Sequence, residues 1–427
     1  MKGVLLIVLF AVFVIGAMFF APAALLDVLG WFFGLAPIWL PVVLAIFFWR
    51  LWIWYIRAQY IANNDTVVLE VRIPRDIEKS PKAMEAVFDG LHIGIGETTF
   101  INRWIEGRVR AWFSFELASI GGRIHFYIWT PAFFKDIIEA QIYAQYPEVE
   151  IYEVEDYTSQ ITYDPKVHDL WGCDFKKSEK DVLPIKTYVD YGLDKDPKEE
   201  YKIDPIAHLF EYLSTIKEGE QAWMQIIVRT NKDELRKKGS LFKKEKRWKA
   251  EAQKTVDEIR EAARVEMQSL SDPSVTIRGE ASLMPGDKEK IEAIYRGQAK
   301  KAFDVGIRAL HIGPRGSLRG INTVGLIGVF KQFGSENLNG ISPTRWLAAF
   351  SYPWEDFRNI RKEMRKKKIV DAYKRRSWFH APYETKWFAM TAEELATIYH
   401  FPSRAVAAPG LERIPATKAG APPNLPF

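Results

Sequence analysis

The sequence predicts an α+β protein: an N-terminal two-helix transmembrane hairpin followed by two ferredoxin-like units of βαββαβ type, the second with a helical insertion. Three observations lead there. Two long, nearly uncharged runs occupy the first 60 residues. Beyond them, segments of two-residue alternation exchange with segments of helical period in the order strand–helix–strand–strand–helix–strand. The 427 residues also leave room for two or three domains at about 100–200 residues each.

No charged residue lies between Gly3 and Leu26, a run long enough to cross a hydrocarbon core of about 30 Å as a helix. A second run, Pro37 to Ile56, is interrupted only by Arg50, close enough to its end for the side chain to snorkel. Trp49, Trp52, Trp54 and Tyr55 crowd that end as an aromatic belt does. A cleaved signal sequence is the competing reading of the first run. Its apolar core exceeds the ~7–15 residues of a signal, however, and a second run follows at once. Lys2, Arg50 and Arg57 flank the two runs while the short connection carries only Asp27. The charge bias therefore predicts a protein of the inner (cytoplasmic) membrane with two spans, both termini and the soluble bulk in the cytoplasm.

The soluble part opens with a strand at 66–74, with Val67, Leu69 and Val71 on one face. A helix over 80–90 follows, with Ser80 as N-cap and Pro81 at its first position. Strands at 108–118 and 123–130 flank a hairpin turn at Gly121–Gly122. Thr130 is placed to cap a helix from Pro131 to Tyr146 that buries Phe134, Ile137, Ile138, Gln141 and Ile142. A strand at 148–154 completes the first unit. The second reads as a strand at 184–191, a helix at 204–215 opened by Asp204–Pro205, a strand at 221–229 and a long charged helix at 244–270. A strand at 273–283, a helix at 286–300, a strand at 303–311 and a helix at 317–333 complete it. The resulting domains are 1–62 (hairpin), 63–160, 161–350 with its insertion at 232–270, a basic helical segment at 351–404 and a Pro-rich tail at 405–427.

Several chemistries are excluded. The single cysteine, Cys173, rules out a disulfide framework and multi-cysteine metal sites. No stretch matches G-x-x-x-x-G-K-[ST]; the glycines at 94–96 and 313–316 lack the Lys and Ser/Thr that a phosphate and Mg²⁺ require. The seven histidines form no metal-binding pair; His125 and His311 read as sheet residues and His400 as a helix C-terminal one. Glu148, Glu150, Glu153, Glu155 and Asp156 read as a solvated sheet edge that resists unwanted pairing. No catalytic residue, cofactor or metal is expected.

The basic residues are concentrated. Segment 232–249 holds nine Lys/Arg against three acids, and 358–376 holds ten against two. The net charge is only +5, so the rest of the chain is acidic and these two segments need a local explanation. The candidate contacts are Lys237, Lys238, Lys243, Lys244, Lys246, Arg247 and Trp248 in the first, with Arg361, Arg365, Lys366, Lys367 and Lys368 in the second. Three readings stay open: phosphate contact with nucleic acid, contact with anionic lipid or an acidic protein, and a solvated face.

Runs 113–128 (FSFELASIGGRIHFYI) and 130–157 (TPAFFKDIIEAQIYAQYPEVEIYEVEDY) resemble the segment ahead of the motor in HerA-type conjugation ATPases of type IV secretion-like systems. So do 302–310 (AFDVGIRAL), 390–403 (MTAEELATIYHFPS) and the closing GAPPNLP. The resemblance implies a non-catalytic anchor or adaptor of a translocation assembly. A P-loop ATPase would be a separate chain, since this one stops where the motor would begin. It further implies DNA as a candidate cargo, a homo-oligomer as a candidate state and a tail, including Pro422, Pro423 and Leu425, that docks the motor. The alternative is a free-standing membrane-tethered protein that binds nucleic acid or anionic lipid through its basic segments.

Overall fold

The computed structural model describes residues 27, 30–74, 77, 79–94, 96–97, 99–195, 203–232, 234–236, 244–270, 283–318, 320–344, 352–403, 406 and 408–414. The first half of the chain holds α1 (Ala36–Ala62), β1 (Thr66–Arg72), α2 (Lys82–Gly90), α3 (Phe100–Trp104), β2 (Trp112–Ile120), β3 (Arg123–Pro131), α4 (Lys135–Gln145) and β4 (Glu150–Val154). Next come β5 (His168–Lys177), α5 (Ile206–Ser214), β6 (Gln221–Thr230), β7 (Glu234–Arg236), β8 (Lys244–Lys246) and α6 (Arg247–Leu270). The order ends with α7 (Pro285–Gln298), β9 (Ala302–Pro314), α8 (Gly320–Gly328), β10 (Ile341–Pro343), α9 (Ile360–Lys374), β11 (Phe388–Thr391) and α10 (Ala392–Ile398).

The chain divides into two compact units. One contains α1 together with Thr98–Val109; the other comprises Asn64–Glu97 and Arg110–Phe427. Helix α1 is 27 residues long and apolar enough to cross a membrane, with mean hydropathy 1.8 over its best window and none of that window buried. It is the single helix of that kind among the described residues. The first expected span, Gly3–Leu26, lies outside them.

The second unit is built on one antiparallel sheet. Its strand order is β10-β5-β9-β6-β2-β3-β1-β4, with β11 added beside β9. The two halves mirror each other: each reads fourth–first–third–second from its outer edge, and their second strands, β6 and β2, pair at the centre from Trp112↔Arg229 to Ile120↔Gln221. The sheet therefore runs unbroken across residue 160, and the expected 63–160 and 161–350 domains share it. On one face Phe113, Phe115, Phe126, Met224, Ile226, Val305 and Ile307 meet Phe88, Ile138, Ile142, Leu209, Phe210 and Leu395 of the helices. Tyr399 and Phe401, just past α10, pack on Phe126 in the same layer.

Several sequence expectations change in detail. Ser80 does not cap α2; Pro81 takes the cap position and no side chain bonds there. Thr130 donates to the Pro131 carbonyl instead of capping a helix, and a 3₁₀ turn precedes α4. Phe134, Ile138 and Ile142 are buried as a stripe of four-residue spacing, while Ile137 faces out. The expected strand at 184–191 is a turn with one bridge, Ile185↔Asn339, and the real first strand of that half is β5. Strand β5 escapes an alternation test because Asp174 is buried within it, paired with Arg308 at 2.7 Å. The expected strand at 273–283 falls almost wholly outside the described residues, and residues 244–246 are strand, not the start of α6. Gly121 and Gly122 turn the β2–β3 hairpin with φ of +59° and +89°, as the Gly–Gly signal predicts.

Gly306 in β9 shows how closely the second face of the sheet is covered. A Cβ there would lie 2.2 Å from the Trp378 ring. Gly306→Ala should displace Trp378 and destabilise the protein by about 1–3 kcal/mol, the usual cost of overpacking. Thermal unfolding in detergent would register it as a lower midpoint, whereas an unchanged midpoint would mean that Trp378 is not held against the sheet.

Candidate functional site

The second face of the sheet is polar and nevertheless buried. One register row crosses it: Asp174 (β5), Arg308 (β9), Gln225 (β6), Glu116 (β2), Tyr127 (β3) and Glu70 (β1) are successive cross-strand partners. Buried polar groups in such number demand partners, and most of them come from residues 156–158 and 371–380. Arg376 is the centre. Its Nε and Nη2 donate to the two Glu116 oxygens at 3.0 and 3.1 Å, a bidentate pair, and Nη2 donates to Asp156 Oδ1 at 3.1 Å. Nη1 pairs with Asp156 as well and donates to the Lys374 carbonyl at 2.8 Å.

Glu116 has every lone-pair direction engaged. Ser114 Oγ donates to it at 2.7 Å, Tyr157 Oη at 2.8 Å and Gln225 Nε2 at 2.9 Å. Gln225 Nε2 also donates to the Tyr373 carbonyl at 3.1 Å, and the Tyr157 and Tyr373 hydroxyls lie 2.8 Å apart. Tyr157 stacks on Tyr127 at 4.4 Å, and Trp223 lies edge-on to Tyr157 at 5.5 Å. Burial, then the charge of Glu116, pushes both phenols well above their ordinary range, so they stay protonated. Burial alone would raise the Asp156 carboxyl, but its hydrogen bond and charge pairing with Arg376 outweigh that and hold it low. Burial likewise opposes the Arg376 charge, and Glu116 and Asp156 overcome it. Chemically this set is a lock: its charged groups face one another, and Gln225 Oε1 is its one buried oxygen without a partner among the described residues.

A parallel group lies four residues further along β6 and β9 on the same face. Arg229 Nε donates to Asp304 Oδ2 at 2.8 Å and its guanidinium sits 4.2 Å from the Phe379 ring centroid. Asn231 donates to Asp304 Oδ1 at 2.7 Å. Arg308 lies 4.9 Å from the centre of the Trp378 ring. The segment 376–380 is thus fastened to the sheet by charge and by aromatic faces together.

A third constellation is on the helix side. Lys177 and Glu394, 2.6 Å apart, are both fully buried. Glu394 is the third helical residue of α10 in a capping box: its carboxylate accepts from Thr391 N at 2.8 Å, and its own N–H donates to Thr391 Oγ1 at 3.3 Å. It also accepts from Ile185 N at 3.0 Å, tying the 185–188 turn to α10.

The residues singled out in the sequence fall in different places. Lys237, Lys238 and Lys243 lie outside the described residues, as do Pro422, Pro423 and Leu425. Lys244 and Lys246 are in β8 and Arg247 opens α6, with their side chains outside the description. Trp248 is only 8% exposed and packs with Val182, Val256, Ile291 and Ile294 in a small satellite core, with Lys177 Nζ 6.0 Å from its ring centroid. That packing withdraws its face from stacking on a base. Arg361, Lys367 and Lys368 of α9 are exposed; Arg365 and Lys366 are half-buried, Lys366 pairing with Glu363 at 3.0 Å. Ahead of these cations stand the exposed Tyr352, Trp354, Phe357 and Ile360, with the exposed Met364 among them. Glu150, Glu153 and Glu155 line the open edge at β4 as expected, but Asp156 turns inward to Arg376. Arg376, counted within a basic surface segment, is the buried centre of the lock. The signal for it is Glu116, the one charged residue of a strand otherwise made of apolar residues and serines, which requires a cation if it is buried. Cys173 is buried, and burial followed by the Asp174 charge raises its thiol far above the reactive range. Among the described residues no group of His, Cys, Asp and Glu could hold a metal ion.

The class is therefore an α+β protein with one large antiparallel sheet and a long exposed apolar helix ahead of it. A family profile described as a domain of unknown function (DUF8128) matches residues 58–412. The match takes in most of the chain, and the protein belongs to this family. No curated protein matches it.

Arg376→Met should cost about 3–5 kcal/mol, because Glu116 is left charged and buried without its partner. Arg376→Met combined with Glu116→Gln should recover a large part of that loss. Denaturant unfolding of the four members of this cycle measures it; additive losses would contradict the lock.

His311 Nε2 is 3.2 Å from Glu220 Oε2, while Nδ1 has no hydrogen-bond partner among the described residues. The geometry suits an ion pair, yet burial lowers the imidazole below its ordinary 6.5 and Glu220 only partly offsets this. The folded protein therefore holds His311 neutral and the unfolded chain takes up the proton first. Its contribution is complete above about pH 6.5 and is lost as pH falls below that. Unfolding at pH 7.5 and pH 5 should show a smaller acid loss for His311→Gln than for the parent protein; equal losses would remove His311 as the cause.

Proposed function

We propose that this protein is a membrane-anchored, non-catalytic adaptor whose soluble sheet domain presents surfaces to partner proteins. One observation carries the reading: a 27-residue apolar helix with its best window wholly uncovered precedes a sheet domain whose buried Arg376–Glu116 constellation is turned in on itself. The uncovered helix favours lipid as its surroundings, and the closed constellation favours support over turnover. On this reading the cytoplasm holds the soluble bulk, as the Arg50 and Arg57 bias suggests, and residues 3–26 supply a second span. We also read each four-strand half as a ferredoxin-like unit, the second carrying β7, β8, α6 and α7 as its insertion.

The resemblance of residues 113–157, 302–310 and 390–403 to the pre-motor region of conjugation ATPases supports placing this adaptor in a type IV secretion-like assembly. The partner would then be a separate P-loop ATPase, with DNA as a candidate cargo. A second reading has its own support. The exposed Arg361, Lys367 and Lys368 beside exposed Trp354, Phe357 and Met364 combine positive charge with aromatic surface, as contacts to anionic lipid or nucleic acid do.

Affinity purification of the full-length protein from detergent-solubilised native membranes tests the first reading. A P-loop ATPase should co-purify and be lost from a variant deleted for 405–427. Recovery without any ATPase, but with salt-sensitive DNA or anionic lipid, would replace the first reading by the second.

A further inference from the structure

Residues 99–109 lie in sequence between two parts of the sheet unit but belong to the compact unit of α1. Thr99 caps α3, its side chain accepting from Asn102 N at 3.2 Å, and Arg108 N donates back to the Asn102 carbonyl at 2.8 Å. The folded-back segment then packs on the carboxyl end of α1 through four contacts. The Trp104 ring lies 5.6 Å from that of Trp49. Trp52 Nε1 donates to the Trp104 carbonyl at 3.1 Å. The Arg57 guanidinium sits 6.0 Å from the centre of the Trp104 ring. Gly107, at φ +69°, comes so close that a Cβ would fall 2.5 Å from the Ile56 carbonyl carbon and 2.6 Å from its oxygen. Only glycine satisfies both that backbone conformation and that approach.

This docking buries Ile56 and leaves α3 facing outward. Phe100, Ile101 and Ile105 are 66%, 56% and 56% exposed. Three large apolar side chains within six residues, uncovered beside an apolar helix, form a patch continuous with it. Its height along α1 is set by Trp49, Trp52 and Arg57. Those are the turns where the apolar run gives way to arginine amid Trp and Tyr, the composition of the headgroup level in a membrane helix. Arg103 and Arg108 belong to the same segment and Arg57 meets its Trp104, with Arg108 pairing with Glu106 at 2.7 Å. Positive charge around an apolar tip suits the surface of an anionic bilayer.

We propose that residues 99–109 form an interfacial wedge whose Phe100, Ile101 and Ile105 enter the headgroup–acyl boundary of an anionic bilayer beside α1. The inference rests on the reading of α1 as a span. It adds a second lipid contact, supplied by the domain's own chain, to the one that the span makes.

Site-directed spin labelling of the full-length protein in phosphatidylcholine–phosphatidylglycerol nanodiscs tests it. Cys173 is buried, so a label at an introduced cysteine reports one position. Ile101→Cys and Ile105→Cys are compared with Leu44→Cys within α1 and with the exposed Lys217→Cys as an aqueous reference. The wedge predicts oxygen accessibility relative to a water-soluble nickel complex several-fold higher at 101 and 105 than at 217, approaching that at 44. Gly107→Val, which undocks the segment, should return the label at 105 toward the aqueous value. Labels at 101 and 105 that match 217 while 44 is in lipid would overturn the wedge and leave the span standing. Labels shielded from both oxygen and nickel would overturn it in favour of a protein occupant. An aqueous label at 44 would remove the span and the wedge with it.

Discussion

The pairing of Arg376 with Glu116 is the constraint on which the soluble domain turns. Glu116 sits on β2, one of the two strands that join the halves of the sheet, and its cross-strand neighbours are Gln225 on one side and Tyr127 on the other. A carboxylate at that depth is tolerable only with a cation in contact and its remaining lone pairs occupied. Arg376 meets the first condition, and Ser114, Tyr157 and Gln225 meet the second. The consequence is specificity of arrangement more than gain in stability. A one-residue slip between β2 and β6 would set Glu116 opposite an aliphatic residue such as Ile226 and strip Arg376 of its bidentate partner. The same arginine fastens Asp156, just beyond β4, so one side chain ties the centre of the sheet to its edge connection.

Much of this architecture is legible in the sequence because most strands obey alternation. β1, β3 and β6 are found within a residue or two of where their patterns place them, and the glycine pair at 121–122 marks the hairpin. The exceptions share one cause. β5 carries Asp174 on a buried position, and a pattern that equates charge with solvent cannot register a strand whose charge is paired with Arg308 on its neighbour. Residues 184–191 fail in the opposite sense: apolar alternation is present, but Tyr188 and Ile185 are buried by a turn that Glu394 and Thr397 hold through its backbone N–H groups. Trp248 and Arg376 lie in basic runs whose composition points to the surface, yet both side chains are buried. Composition averages over a helix face; it does not resolve which residue of ten is the buried one.

The α3 segment was illegible for a different reason. Its residues, FINRW, carry no period long enough to analyse, and its partner on α1 is some 50 positions distant in the chain. Only Gly107 hinted at a close approach, and a lone glycine is a weak signal. What makes the segment coherent is the set of contacts around Trp104, which no local pattern contains.

The distribution of polar chemistry also bears on how such a domain acts. Interior charges here are neutralised by one another, in the Arg376, Arg229, Arg308 and Lys177 groups alike. Each group joins elements distant in sequence: Glu116 with Arg376, Asp304 with Arg229, Asp174 with Arg308, Glu394 with Lys177. A sheet closed in this way resists shear between its strands, because sliding would separate several buried pairs at once, each separation leaving an unsatisfied charge. Stiffness of that kind suits a body that must hold surfaces in a fixed relation. On the proposed reading those surfaces are the basic and aromatic start of α9 and whatever partner the open edges and tail receive. The energetic cost of burying so many charges is then understandable as the means of keeping a two-half sheet from behaving as two independent halves.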